Sequence, residues 1–476
     1  MAMWEGTREN FESKEFAGVV KRYKKMLSDE QMGFFDVADF EYIVDHYIDK
    51  NQLTNALQAC EIAISQHPHS LIVKIKKAQV LMGQLKTEKA LHLLKMLAEI
   101  ENTNPEILYM LGNCYSLIGS DDKAYDYFRK AEKFANEDRD ELLYNVGAGY
   151  IQNNNYNRAI IFLEKAYNEN PKNDSVLYDL AYCYDKLGYE EKSILFYNKY
   201  LDIDPYGESA WYNLGIIYTR LEEYDKAIEA YDFALAIDEN YSSALFNKAN
   251  TLSTAERYNE ALTCYLAFLR FDKHSSDAHV YIAECYFQLE DYTKSYEYYL
   301  QAIQLDSKNA DGWYGAGIVL MLEEKLSESL IYIKKAIKLD DSCPDFWSAF
   351  GKVNAALNRY EEAVVAFQKS VEIEDSNADF WIAFAEFYYN CKQIGMAIHT
   401  LFQAETTVIE SASLFYKLSG YLGEIKNTQL AEMYFEMALS LNYDLLSNFF
   451  LDFPKLKSRR WIKKLLSKFA FNNKPG

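Results

Sequence analysis

No run of eighteen apolar residues occurs in the 476-residue sequence, and the longest charge-free apolar stretch, Gly312 to Leu322, is too short to cross a bilayer. Met1 to Lys14 is polar and of mixed charge, without the apolar core of a secretory signal, which points to a cytoplasmic chain. Catalytic signatures are missing too. There is no G-x-x-x-x-G-K-[ST] phosphate loop, no H-E-x-x-H and no C-x-x-C, and the glycine cluster Gly147-Ala148-Gly149 lies in a helical pattern with no strand before it. His67 and His69 flank Pro68, which could suggest half a metal site, but no third ligand stands nearby and they read as surface histidines. These absences lead to an expectation of no enzyme activity, no cofactor and no metal.

What is present is a period of 34 residues. With repeats begun at residues 37, 71, 105, 140, 174, 208, 242, 276, 310, 344, 378 and 412, the twentieth column is small throughout: Ala56, Ala90, Ala124, Ala159, Ser193, Ala227, Ala261, Ser295, Ser329, Ala363, Ala397 and Ala431. The eighth column is small in all but its first member, Val44, and includes Gly112, Gly147, Gly215, Gly317 and Gly351. Two small columns have a steric cause, because paired helices approach closely only where the crossing side chains are small. Large residues sit one turn away, with Leu108, Leu143, Leu177, Trp211, Trp313, Trp347 and Trp381 in the fourth column and Tyr47, Tyr115, Tyr150, Tyr184 and Tyr218 in the eleventh. Pro68, Pro171 and Pro205 fall at the thirty-second, where a helix must stop. One extra residue breaks the count in Asn136 to Asp140, which reads as a connecting loop.

The copy from Glu208, with Trp211, Leu214, Gly215, Tyr218, Ala227, Tyr231 and Ala234, resembles the tetratricopeptide repeat, W-x₂-L-G-x₂-Y…A-x₃-F. An armadillo-like array would need a period nearer 40. The resemblance implies an all-α fold, a right-handed α-solenoid of stacked antiparallel helix pairs, in which each repeat touches only its neighbours. Twelve repeats span residues 37–445. Residues 1–36 should hold an N-terminal capping helix, its stripe being Phe16, Val19, Val20, Tyr23 and Leu27, and residues 446–476 a half repeat with a C-terminal cap. Cys114, Cys183 and Cys285 share the tenth column of non-adjacent repeats, so they read as buried small hydrophobes rather than a disulfide framework.

In that family the first helix of each repeat lines a concave groove, through columns two, five, six, nine, twelve and thirteen. Carried onto this sequence, the resemblance implies a partner-binding surface of Asn113, Tyr144, Asn145, Tyr178, Asp179, Lys186, Tyr212, Asn213, Arg220, Phe246, Asn247 and Asn250, with Tyr109 and Tyr314 beside them. Amides pair with a peptide backbone as donor and acceptor, and tyrosines offer rigid amphipathic area, so the expected partner is a protein or an extended peptide. Chaperone-tail binders of the family carry a lysine at column five. None stands there in this chain.

Charge is uneven. The chain carries −21 overall, yet residues 447–476 hold eight basic side chains against Asp452 alone. An acidic body argues against nucleic acid as the main ligand. The basic segment 455–470, with Trp461, Ile462, Leu465, Leu466 and Phe469 on one stripe, fits either a cap or a contact with an anionic membrane, and the second reading makes a membrane-peripheral assembly factor the alternative to a cytoplasmic adaptor.

Overall fold

The computed structural model describes residues 18–28, 33–136 and 138–472, and among them every regular element is helical. These residues fall into two units, up to Ile217 and from Tyr218 onward. In the first, α1 (residues 18–28) is followed by the pairs α2 (Val37–Asp49) and α3 (Leu53–Gln66), α4 (Leu71–Gly83) and α5 (Thr87–Ile100), α6 (Pro105–Leu117) and α7 (Asp121–Phe134), α8 (Arg139–Gln152) and α9 (Tyr156–Glu169), and α10 (Asp174–Lys186) and α11 (Glu190–Leu201). Helix α12 (Glu208–Arg220) spans the division.

The second unit continues with α13 (Tyr224–Ile237), then α14 (Ser242–Thr254) and α15 (Tyr258–Phe268), α16 (Ser276–Gln288) and α17 (Tyr292–Leu305), α18 (Ala310–Leu322) and α19 (Leu326–Leu339). It ends with α20 (Pro344–Ala356) and α21 (Tyr360–Ile373), α22 (Ala378–Asn390) and α23 (Ile394–Ala404), α24 (Ala412–Glu424) and α25 (Thr428–Leu441), then α26 (Leu446–Asp452), a 3₁₀ turn (Pro454–Ser458) and α27 (Arg460–Asn472). Within each unit a helix packs on its pair mate, on the next pair, and for most first helices on the first helix of the next pair. That is the stacking of an α-solenoid. No helix among the described residues is long and apolar enough to cross a membrane.

The small columns are the crossing points. All twelve residues of the twentieth column are fully buried. A Cβ added to Gly317 would stand 2.6 Å from Ile333 Cγ1, and one on Gly112 2.4 Å from the Phe128 ring. The Ser295 hydroxyl is buried without a hydrogen-bond partner, but at three other serine crossings the side chain bonds the facing backbone: Ser193 donates to the Ala181 carbonyl at 2.7 Å, Ser329 to that of Gly317 at 2.7 Å, and Ser419 to that of Ala431 at 2.9 Å. The hydroxyl is thereby satisfied at the closest approach, which lets serine replace alanine there.

The extra residue near Asn136 does not lengthen the loop. Helix α8 begins at Arg139 and has 14 residues where the first helices before and after it, α6 and α10, have 13. An added helical residue keeps its backbone bonded, whereas a longer loop would not.

Each first helix stops in the same way. Asn51, Leu85, Gly119, Asn154, Gly188, Glu222, Glu256, Glu290, Glu324, Asn358, Lys392 and Lys426 all have positive φ, between 54° and 75°. The residue after each bonds back across the last turn, as Lys325 N–H does to the Leu320 carbonyl at 2.9 Å, which is a Schellman closure. Only two of the twelve are glycine. Because a side chain in the left-handed region costs about 1–2 kcal/mol and glycine's extra chain entropy about half of that, Glu324→Gly should raise stability by about 0.5–1 kcal/mol. Chemical denaturation of the variant checks it, and a loss of stability would contradict the strain argument.

At the front, Val19, Val20 and Tyr23 are buried against Phe35, Phe40, Ile43 and Tyr47, so α1 covers the first pair. Leu27, expected on that stripe, is exposed, and Met26 takes its place against the cluster. Phe16 lies outside the described residues. His67 is no plain surface residue: its Nε2 meets the Phe35 carbonyl at 2.8 Å, while Gln66 bonds Phe35 N–H and the Gly33 carbonyl, stitching the segment after α1 to the end of α3. At the back, Trp461, Ile462 and Leu465 are buried and Leu466 and Phe469 packed on the cluster of α24 and α25, with the Trp461 indole edge-on to Phe435 at 5.6 Å. Lys417 ties α22, α24 and α26 together through Glu386 at 2.5 Å and Asp452 at 2.9 Å.

Candidate functional site: the first-helix surfaces

The first helices are set in place by their own starts and by the turns before them. Asn104, Asn173, Ser275, Asn309, Asn377 and Ser411 cap them through side-chain oxygens that accept backbone N–H groups of the first turn. The fourth-column tryptophans act as clamps. Trp211, Trp313, Trp347 and Trp381 each donate an indole N–H to the carbonyl six residues back, at 2.8–3.1 Å, fixing the inter-repeat turn to the helix that follows.

Given that frame, the sequence-derived surface residues differ in what they have left to offer. In the first unit, Asn213 directs its amide nitrogen to the hydroxyls of both Tyr178 and Tyr197, at 3.0 Å each, so both of its hydrogens are spent internally. Only its carbonyl oxygen remains for a peptide. The Tyr178 ring is held edge-on by Tyr197 and Tyr200. Tyr144 and Asp179 are hydrogen-bonded to each other. Lys186 is exposed, with its ammonium 5.1 Å from the Tyr182 ring.

Asn113 and Asn145 are different. Neither amide has a hydrogen-bond partner among the described residues, Asn113 being half-buried and Asn145 exposed. Asn145 lines a cavity of about 860 Å³ with Gln79, Glu106, Tyr109, Glu141 and Leu142. This hollow is bounded by α4, α6 and α8 and by the turn between α7 and α8. Its chemistry is amide, carboxylate and tyrosine, which suits a peptide backbone and gives no nucleophile paired with a base.

In the second unit, the Phe246 ring is packed among Tyr265, Phe268 and Tyr281, and the Asn250 carbonyl oxygen accepts from the Tyr265 hydroxyl at 2.6 Å. The Asn247 carbonyl accepts from Thr251. Arg220 stands exposed at the end of α12, and Tyr212 is half-buried. Tyr314 joins Glu284, Tyr258 and Tyr299 around a hollow of about 400 Å³. Burial and the Asp311 carboxylate push the Glu284 pKa up to about 7.

Asp179 has its pKa raised to about 6, chiefly by burial and against the opposing hydrogen bond from Tyr144. A carboxyl whose folded pKa lies above its unfolded value of 3.8 favours the protonated folded form, so it costs stability above pH 6 and that cost fades as pH falls toward 4. Asp179→Asn should therefore stabilise at pH 8 by roughly 1–2 kcal/mol and change little at pH 4.5. Thermal melts of both proteins at the two pH values check this, and an equal difference at both would refute it.

Sequence reasoning placed these residues on the first helices but did not foresee which amides were already used. Of the tyrosine hydroxyls that meet Asn213 and Asn250, those of Tyr197 and Tyr265 come from the second helices α11 and α15, while that of Tyr178 comes from the neighbouring first helix α10. The cysteines are as expected: all seven are free, five are buried, and burial pushes the Cys60 thiol up to about 12 and the Cys114 thiol up to about 11. These two thiols are held neutral and unreactive.

No curated protein matches the chain in sequence. Models of the tetratricopeptide repeat match residues 150–215, 209–241, 246–310 and 344–377, and a model described as the N-terminal TPR repeats region of Psidin matches 44–162. Among solved structures, the MamA protein is similar at 22% identity over 36% of this chain and 94% of that one, with a TM-score of 0.32. A tetratricopeptide repeat protein from Parabacteroides merdae is similar at 20% identity over 52% and 98%, with a TM-score of 0.37. The Cut9–Hcn1 hetero-tetramer of the APC/C is similar at 15% identity over 91% and 95%, with a TM-score of 0.41. The repeat models cover more than half of the chain between them, and the one at 344–377 spans a single repeat of the observed helix pairs: this is a tetratricopeptide repeat protein, a scaffold of the protein-interaction class.

Proposed function

We propose that the chain is a non-enzymatic adaptor that binds an extended peptide or partner segment along its first helices. The observation that carries this reading is the hollow around Asn145 in the first unit, with Tyr109 in its wall and the amides of Asn145 and nearby Asn113 unpartnered. A peptide group needs one acceptor and one donor, and an amide side chain supplies both. Seven unpaired cysteines suit a reducing, cytoplasmic setting. The alternative, docking on an anionic membrane through the last helix, would have to rest on the exposed charges Arg459, Arg460, Lys463 and Lys464, because the apolar stripe of that helix is packed against α24 and α25.

Replacing Asn113 and Asn145 by alanine should weaken a partner recovered from the native host by about 1–3 kcal/mol through lost backbone hydrogen bonds, with helicity unchanged. Calorimetric titration of the purified pair measures it. Equal affinity of the double variant would place the binding surface elsewhere.

A further inference from the structure

The second helices carry a feature that the first-helix groove does not use. Between α7, the start of α8 and α9 lies a hollow of about 730 Å³ lined, among the described residues, by Arg129, Lys130, Lys133, Arg139 and Lys165 together with Asp126 and Glu132. Five cations thus face two carboxylates, in a chain whose net charge is −21.

The wall is organised. Glu132, with only 11% of its side chain exposed, accepts from Arg139 at 3.2 Å and from Lys165 at 2.7 Å, and Arg139 also reaches Glu169 at 3.4 Å. The Arg139 Nε is buried with no hydrogen-bond partner. Glu132 therefore holds two cations of the wall in position and leaves the other three without a carboxylate. Arg129, Lys130 and Lys133 make no ion pair among the described residues; Lys130 and Lys133 lie only against the rings of Tyr127 and Phe134, at 4.8 and 5.7 Å. Arg129 and Lys133 are like charges one turn apart on the same helix, which disfavours the helix by itself. A cationic hollow with that internal repulsion is relieved by a multivalent anion.

We propose that this hollow is a second docking site, for an acidic stretch of a partner polypeptide. Several cations at different depths fit carboxylates spaced along a chain, and charge-assisted bonds from arginine and lysine are the strong kind. A bilayer surface is too flat to enter a hollow, and a nucleic acid duplex continuing past it would meet an acidic chain. The occupant is distinct from a peptide in the first-helix groove: the two hollows both touch α8, through Arg139 and through Asn145, but are lined by different side chains. A protein could hold one partner on each.

The test uses the full chain and a fluorescein-labelled peptide of ten glutamates, followed by anisotropy. The wild type should bind it, with an affinity that falls steeply as salt rises. The triple variant Arg129→Glu, Lys130→Glu, Lys133→Glu should bind at least tenfold more weakly at an unchanged melting temperature, and the milder pair Arg129→Gln, Lys133→Gln should give an intermediate loss if the triple variant proves unstable. Asn113→Ala with Asn145→Ala should leave this binding intact, which separates the site from the groove. Absence of peptide binding by the wild type, or equal binding by the reversed variants, would overturn the proposal. So would anionic vesicles or single-stranded DNA that bind more tightly than the peptide and lose more on charge reversal.

Discussion

Deleting residues 455–476 is expected to lower the melting temperature sharply and to expose apolar surface that binds a hydrophobic dye. The removed segment buries Leu456, Trp461, Ile462 and Leu465, each less than 10% exposed, and at about 1.5–3 kcal/mol per buried side chain the last helix pair should lose roughly 5 kcal/mol or more. The lost cover lies directly on the end of the stack: Leu456 stands where a Cβ on Gly423 would come within 2.9 Å, and Trp461 meets Phe435 edge-on. An uncovered terminal repeat shows its core to water. A point variant, Trp461→Ala, should cost about 3–5 kcal/mol by the same logic. A truncated chain that melts like the parent, together with lost binding to anionic vesicles, would instead make the stripe a membrane contact.

The second large effect lies at a helix crossing. Gly317→Leu should destabilise by about 2–4 kcal/mol, because its Cβ alone would sit 2.6 Å from Ile333 Cγ1 and 3.3 Å from the Ile333 backbone nitrogen, and backbone cannot rotate aside. The control is Gly149→Ala in α8. Nothing lies within 4 Å of that Cβ position, so the variant should gain up to ~1 kcal/mol from helix propensity. Denaturant unfolding of the two proteins measures the contrast. Similar stabilities would mean that the small columns are not the closest approach of paired helices.

The fold was legible because it is written in sterics repeated twelve times. A residue such as Ala227 or Ser329 is uninformative alone, but its recurrence at one phase leaves close helix crossing as the shared cause. The helix stops were less legible. A left-handed residue is advertised by glycine, and at Leu85, Glu256, Glu290 or Lys392 the chain accepts the strain with a side chain attached, so composition hides a turn that recurs in every repeat. The extra residue near Asn136 was misplaced for a related reason: a sequence count finds an insertion but not whether helix or loop absorbs it.

The surface was legible only in part. Placement on the first helix follows from phase, so Asn113, Asn145 and Asn213 were all found. Availability does not follow, since it depends on hydroxyls arriving from another helix, as Tyr197 does at Asn213 and Tyr265 at Asn250. The basic hollow was missed altogether. Arg129, Lys130, Lys133 and Lys165 sit among acidic residues along the chain, and only packing of α7 against α9 collects them.

The adaptor reading is tested most directly by photo-crosslinking from the groove in the native host. A photoreactive phenylalanine at Tyr109 or at Tyr144 should give adducts with an extended segment of one partner protein, identified by mass spectrometry of the linked peptides. The same residue at Ile331, which is 66% exposed on α19, should give none with that partner. Adducts from Ile331 and none from Tyr109 or Tyr144 would contradict the account.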